Sequence, residues 1–246
     1  PGKMEIERSA RLLDDLEAPV DILHGELGME EQARVLRPSS TRRIVLATNV
    51  AESSVTLPGV RAVIDSGLAR EPRFDAASGM SRLETVNIAQ SSARQRAGRA
   101  GRVAAGRCYR LWSPSTVLDN AARPEIQCVE LSSLALEMKV WGSNELRFLD
   151  APPAGALAQA HDLLRALDAL DDDGRITTHG NALLALGAHP RLANAMLRAP
   201  KGWRGLACDV AALIEGRDPM LGEARRNDDL RVRLAALHAQ RSRRGA

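Results

Sequence analysis

The sequence predicts an α/β fold, with a parallel sheet covered by helices in its first half and a helical second half. Three observations predict it. Up to about residue 112, short apolar runs of strand length alternate with stretches of helical periodicity. Those runs are continuous rather than alternating, the pattern of strands buried on both faces. From Val129 onward, apolar residues recur at helical spacing and strand signals fade.

The elements follow in order. Glu5 to Leu16 carries Ile6, Leu12, Leu13 and Leu16, a helical stripe. Val20 to Leu23 reads as a strand ending in a turn at His24-Gly25. Met29 to Leu36 reads as a helix that stops before Pro38. Ile44 to Ala47 and Ala62 to Ile64 are strands, the second running into Asp65-Ser66-Gly67. Ser91 or Ser92 is a candidate cap for a helix running toward Gly98, and Cys108 to Trp112 is a further strand. Ligands of such sheets sit at the carboxyl ends of the strands.

The character changes near Ser113-Pro114. Leu131, Leu134, Leu136, Met138 and Val140 precede Gly142, a helix and its C-cap. Asp150-Ala151-Pro152-Pro153 reads as a linker or turn. Ala156 to Leu170 is an amphipathic helix through Leu157, Ala160, Leu163, Leu164, Leu167 and Leu170. Asp171-Asp172-Asp173-Gly174 turns into a small strand or wing at Arg175-Ile176-Thr177. Helices follow at Ala182 to Leu186 and Leu192 to Arg198, and the tail from Arg225 is charged and basic at its end.

Aromatic residues are only 2% of the chain, so the core must rest on Leu, Val, Ile and Ala. No stretch approaches 18 uncharged apolar residues, so no membrane-spanning helix is expected. The start at Pro1-Gly2, without a Met or signal-peptide pattern, reads as a chain cut from a longer one. Cys108, Cys128 and Cys208 fit neither a zinc spacing nor a disulfide framework. They read as reduced thiols of a cytoplasmic protein. A net charge of +3 does not by itself indicate a polyanionic partner. Lys3, Lys139 and Lys201 are the only lysines among 34 basic residues, a bias that a GC-rich genome explains for most positions. Clustered arginines are different, because the guanidinium fork suits bidentate phosphate contact.

The strongest cluster is Ser92-Ala93-Arg94-Gln95-Arg96-Ala97-Gly98-Arg99-Ala100-Gly101-Arg102. Arg96, Arg99 and Arg102 recur every third residue and fall along one side of a helical turn. Gly98 and Gly101 remove the bulk between them, although a helical glycine costs about 1 kcal/mol. A solvated arginine face would not need them; a face that another domain approaches would. Fixed guanidinium groups there suit the oxygens of a transferring phosphoryl group. The second cluster, Leu46-Ala47-Thr48-Asn49-Val50-Ala51-Glu52-Ser53-Ser54-Val55-Thr56-Leu57, follows a buried-type strand. Its hydroxyl and amide groups suit phosphate and sugar without reading bases. By itself it reads equally well as a capping loop.

Together and in this order, the two clusters resemble the DEAH-box family of superfamily 2 helicases. Gln95 to Arg102 resembles the family's motif VI, Ala47 to Leu57 its motif V, and Pro1-Gly2 with Glu5-Ile6 the remnant of motif IV. Pro124-Glu125-Ile126, Leu131 to Leu134, Ala151-Pro152-Pro153 and Leu170 to Gly180 resemble the family's winged-helix domain, and Pro190 to Ala193 the start of its helical ratchet domain. His24-Gly25-Glu26-Leu27, Trp141-Gly142 and Arg217-Asp218-Pro219 resemble one bacterial subgroup most. The resemblance implies a second RecA-like domain over 1–113, a winged helix over 114–187 and the start of the ratchet over 188–246.

It also implies roles. Gln95, Arg99 and Arg102 would face the phosphates of ATP, the two arginines as arginine fingers. Ser54 and Thr56 would approach the nucleotide or its attacking water, and Leu68 would lie at the base. Thr48 and Asn49, helped by Gly2, would touch the backbone of a single nucleic-acid strand, RNA by the family's usual substrate. Arg96 would pair within the domain. Two positions depart from the family pattern: Pro58 stands where an Asp near the ribose is common, and Leu68 where a Phe often stacks on adenine. The chain has no Gly-x-x-x-x-Gly-Lys-Ser/Thr loop and no Asp-Glu-x-His segment. The Mg²⁺ ligands would therefore belong to a first RecA-like domain, and this chain alone would not hydrolyse ATP.

Another class of reading is a non-catalytic winged-helix module, roughly Pro114 to Gly187, that binds duplex through a basic helix. Leu131 to Val140 offers one base, Lys139, and one acid, Glu137, which is poor for that purpose. A scaffold with decayed motifs is opposed by the intact Gln95, Arg99 and Arg102.

Overall fold

The structure is a computed structural model. It describes all residues except 53–54, 76–78, 143–145, 217, 221–223, 226 and 245–246, with backbone alone at Met80 and Arg244. The chain divides into two compact units, Pro1–Val129 and Glu130–Ala246.

In the first unit, helix α1 (Lys3–Arg11) leads to strand β1 (Val20–Leu23), helix α2 (Met29–Leu36) and strand β2 (Ile44–Ala47). β1 and β2 pair in parallel, Val20 opposite Ile44 and Leu23 opposite Ala47. Leu23, Val35 and Ile6 are buried where the helices cover this pair. A 3-10 turn, Asn49–Ala51, follows β2. Strand β3 (Ala62–Asp65) pairs in parallel with strand β6 (Arg107–Arg110), and helix α3 (Gln90–Gly98) lies between them in sequence. Parallel pairs joined through helices are what the continuous apolar runs predict.

The structure of this unit differs from the sequence reading in several places. An antiparallel hairpin, β4 (Leu68–Asp75) and β5 (Met80–Asn87), was not foreseen. Pro72 and the charges at Arg70, Glu71, Arg73, Arg82 and Glu84 hide it, since proline and charge are depleted in strands. Neither Ser91 nor Ser92 caps α3; both are inside it, the N-cap is Ala89, and no side chain caps it. The backbone N–H groups of Gln90 and Ser91 instead reach the carbonyls of Asp119 and Asn120, at 2.8 and 3.1 Å. Thus segment 114–129, expected to open the winged helix, packs on the first unit, and the Phe74 N–H also donates to the Cys128 carbonyl. Finally, α1 ends at Arg11 rather than Leu16, and Leu12 and Leu16 are exposed.

The second unit is helical among the described residues: α4 (Ser132–Trp141), α5 (Ala154–Ala166), α6 (Thr178–Ala185), α7 (Pro190–Arg198), α8 (Arg204–Glu215) and α9 (Leu230–Arg244). Gly142 caps α4 with a left-handed φ of 75°. The small strand expected at Arg175–Thr177 is a single antiparallel bridge, Leu170 to Ile176. Helix α8 and the helical state of the tail were not foreseen. Ala135, Leu136, Leu164, Leu170, Leu183 and Ala193 are among its buried apolar residues. Ser132, fully buried, donates to Glu130 Oε2 at 2.7 Å, and His189 Nε2 lies 2.9 Å from the same oxygen. This fastens the start of α4 to the start of α7. On α8, buried Asp209 receives His238 (2.6 Å) and Arg241 of α9. No described helix is long and apolar enough to cross a membrane.

Candidate nucleotide and strand site

The arginine cluster leaves α3 through a change of helix type. Arg99, Ala100 and Gly101 donate to the carbonyls of Arg96, Ala97 and Gly98 at 3.1, 3.1 and 3.2 Å, each three residues back. Three residues per turn is 3-10 geometry, in which side chains at i and i+3 eclipse. The tightened turn keeps arginines at every third position on one side, where their side chains meet a common segment.

All three reach the same short segment, 52–56, which follows the 3-10 turn. Arg96 Nε donates to Glu52 Oε2 at 2.9 Å, and its Nη1 donates to Asp65 Oδ1 at 2.9 Å and to the Leu68 carbonyl at 3.2 Å. Arg99 Nη1 donates to the Val55 carbonyl at 2.7 Å, and Nη2 to the Glu52 carbonyl. Arg102 Nη1 donates to Thr56 Oγ1 at 2.7 Å. The first contact is half-buried and the last lies at the surface. Burial, then the charge of Arg102, lowers the proton affinity of Arg99 below the usual arginine value, although Glu52 opposes this. Arg99 stays a cation at any neutral pH.

Gln95 is exposed on α3, and its side chain has no partner among the described residues. A Cβ at Gly98 would meet no atom within 4 Å. Packing inside this unit therefore does not require that glycine. Gly67 is different: its φ is +74°, and a Cβ there would lie 2.6 Å from Trp112 Cε3. The glycine lets the indole cover the entry to β4, where Leu68 is half-buried and its carbonyl holds Arg96.

Thr48 closes the β1–β2 pair, its N–H donating to the Leu23 carbonyl at 3.1 Å, and it is the N-cap of the 3-10 turn. Thr48 is half-buried and Asn49 exposed; both side chains lack partners among the described residues. Gly2 is the N-cap of α1, and its N–H donates to Glu5 Oε2 at 3.0 Å. A Cβ at Gly2 would lie 2.6 Å from that oxygen and 2.9 Å from Arg70 Nε. Thr48, Asn49 and Gly2 share no hydrogen bond among the described residues. Ser54 lies outside the described residues, as does Arg217.

Sequence reasoning missed the carboxylates that hold Arg96. Glu52 was seen only as one letter of a polar loop and Asp65 as part of a turn. An Asp ending an apolar strand, beside a conformationally special glycine, was the available signal. Among the described residues no group of three or more His, Cys, Asp or Glu could hold a metal ion.

The first unit is thus a RecA-like α/β unit whose arginines dock against a polar segment after a parallel strand. Residues 1–104 match the helicase conserved C-terminal domain. Over most of its length the chain is similar to DEAH-box helicases. It is 43% identical over 184 residues to the ATP-dependent RNA helicase DEAH12, chloroplastic, of Arabidopsis thaliana, which covers 71% of this chain and 10% of that one. It is 38% identical over 247 residues to the ATP-dependent RNA helicase HrpB of Escherichia coli, covering 94% of this chain and 29% of that one. Two crystal structures of E. coli HrpB superpose with TM-scores of 0.79 and 0.82 at 33% identity, over 97% of this chain and 31% and 32% of theirs. HrpB is the bacterial subgroup that the His24, Trp141 and Arg217 segments resemble. The chain thus spans less than a third of the length of these relatives.

Proposed function

We propose that this chain supplies the second motor half, and the accessory region after it, of an ATP-dependent RNA helicase. The carrying observation is the alignment of Arg99 and Arg102 beside the unpartnered Gln95, with the bare surface at Gly98 between them. Nucleotide would lie between this surface and a first RecA-like domain. Gln95, Arg99 and Arg102 would hold the phosphates, the arginines stabilising charge that develops during transfer. Mg²⁺, held by the first domain, would neutralise charge on the same phosphates. Thr56, held by Arg102, and Ser54 would approach the nucleotide or its attacking water, and Leu68 would pack against the base. Thr48, Asn49 and Gly2 would hold the backbone of one RNA strand. Residues 114–187 would form the winged helix, with 114–129 as its lead-in on the motor domain, and 188–246 the start of the ratchet. The setting would be cytoplasmic.

The test is Arg99→Ala and Arg102→Ala in a protein carrying both motor domains. Arginine fingers contribute about a thousandfold or more to turnover. Each variant is expected to lose hydrolysis on that scale while RNA binding stays within a few-fold of wild type. A loss under tenfold in both would make these arginines surface residues.

A further inference from the structure

Arg96 is the one arginine of the three that takes two carboxylates. Its side chain is 15% exposed, that of Glu52 16% and that of Asp65 2%. Asp65 uses Oδ1 for both Arg96 and the Gly67 N–H, while its buried Oδ2 has no partner among the described residues. Asp65 and its strand therefore form a fixed seat for the guanidinium. Glu52 is presented by the end of the 3-10 turn rather than by a strand.

Glu52 also has a place on the 3-10 turn that matters. Thr48 is the N-cap of that turn and Glu52 its C-cap. The Ala51 N–H donates to the Thr48 carbonyl and the Glu52 N–H to the Asn49 carbonyl, at 3.2 and 2.9 Å. These two bonds tie Thr48 and Asn49 to Glu52 through the backbone of the turn. Its far end is seized twice by α3 and the turn after it: Arg96 takes the Glu52 carboxylate and Arg99 the Glu52 carbonyl.

The two contacts respond differently to an anion. Arg99 and Arg102 are attached to uncharged acceptors, carbonyl oxygens and a hydroxyl, which a phosphate outcompetes because it brings a full negative charge to the guanidinium and can accept two of its N–H groups at once. Arg96 is attached to carboxylates shielded from water, and removing one partner of such a pair is costly. Nucleotide would therefore release the segment from Arg99 and Arg102 but not from Arg96.

We propose that Glu52 is a positioning residue: through Arg96 it pins the turn carrying Thr48 and Asn49 to α3, so that release of Arg99 and Arg102 re-aims the two strand contacts instead of loosening them. The proposal rests on the helicase reading above and names how its two sites communicate. Glu52 touches neither nucleotide nor strand. Its contribution is the coupling between them, which links each ligand's affinity to the other's presence.

The test uses the protein with both motor domains, Glu52→Gln, Arg96→Lys and the double variant. Gln keeps the shape and the backbone carbonyl but removes the charge. Three quantities are read: stimulation of ATP turnover by poly(U), the ratio of oligo(U) affinities with and without a non-hydrolysable ATP analogue, and the thermal unfolding midpoint. Coupling energies between sites typically correspond to about fivefold or more. The expected result is a loss of about fivefold or more in both the stimulation and the affinity ratio for each single variant. The double variant should be no worse than the poorer single, as for residues acting through one contact. Wild-type coupling in Glu52→Gln overturns the proposal. So does an additive double variant, or a fall in strand-free and strand-stimulated turnover by the same factor together with a lowered midpoint, which marks a merely structural pair. Absence of ATP turnover in the wild type would instead overturn the helicase reading itself.

Discussion

Gly67→Ala isolates the contact that shapes the entry to β4. Two costs add. The residue has φ +74°, a left-handed conformation that costs an L-residue about 1–2 kcal/mol. The new Cβ would also stand 2.6, 3.1 and 3.2 Å from Cε3, Cδ2 and Cζ3 of Trp112. The ring is rigid, and Trp112 packs against the buried cluster of Ala69, Ile88 and Ala93, so it cannot swing away freely. Forcing extra bulk into such a site costs about 1–3 kcal/mol. The sum is about 3 kcal/mol, with the steric part the larger. For a chain of this size about 1 kcal/mol moves the unfolding midpoint by about 2–4 °C, so a fall of about 10 °C is expected in the first unit. The measurement is urea and thermal unfolding by circular dichroism, with Gly67→Ala made in the wild type and in Trp112→Leu. In the Leu background the ring is gone and only the backbone strain of about 1 kcal/mol should remain. Equal costs in both backgrounds would refute the argument, because the ring would then not be the obstacle.

Further outcomes follow from the same geometry. Thr48→Ala with Asn49→Ala, in a protein with both motor domains, should reduce unwinding more than strand-independent hydrolysis. Because backbone contacts carry no sequence information, the loss should be alike for unrelated RNA sequences; a strongly sequence-dependent loss in an unwinding assay would argue for base readout. In the second unit, burial raises the proton affinity of Glu130, but hydrogen bonds from His189 and Ser132 outweigh it and leave the carboxyl below its ordinary value of 4.5. A depressed carboxyl stabilises the fold above its unfolded value and loses that contribution as pH falls through the folded one. Glu130→Gln should therefore lower stability at pH 7 and flatten the loss of stability below about pH 4.5. Urea midpoints followed from pH 7 to pH 3 read this, and an unchanged acid slope in the variant would refute it.

Local pattern carried much of the molecule. The observed elements Val20–Leu23, Met29–Leu36 and Ile44–Ala47 match the spans read from the sequence residue for residue, because helix and strand periods are written in neighbouring side chains. Gly142 as the cap of α4 was readable for the same reason. The arginine spacing was also local, and so was its resemblance to a helicase motif. What local pattern could not carry was the β4–β5 hairpin, whose strands are polar and contain Pro72 and gain their stability from each other. Nor could it carry α8, nor the ordering of the tail into α9, whose His238 and Arg241 are held by Asp209 from 29 and 32 residues away.

The sequence by itself marked the candidates for meeting a phosphate, Gln95, Arg99 and Arg102 on a turn lightened by glycine, and set Arg96 apart as a residue that pairs within the domain. Tertiary structure decided what those arginines hold. Glu52 lies 44 residues before Arg96, and Asp65 31 residues before it. Periodicity reports only on neighbours within a turn or two, so no pattern in the chain ties these three together. The pairing exists because the turn after β2 and the end of β3 bring both carboxylates to α3, where the three side chains are largely shielded from water. There a guanidinium with two charged partners is far more stable than one with none.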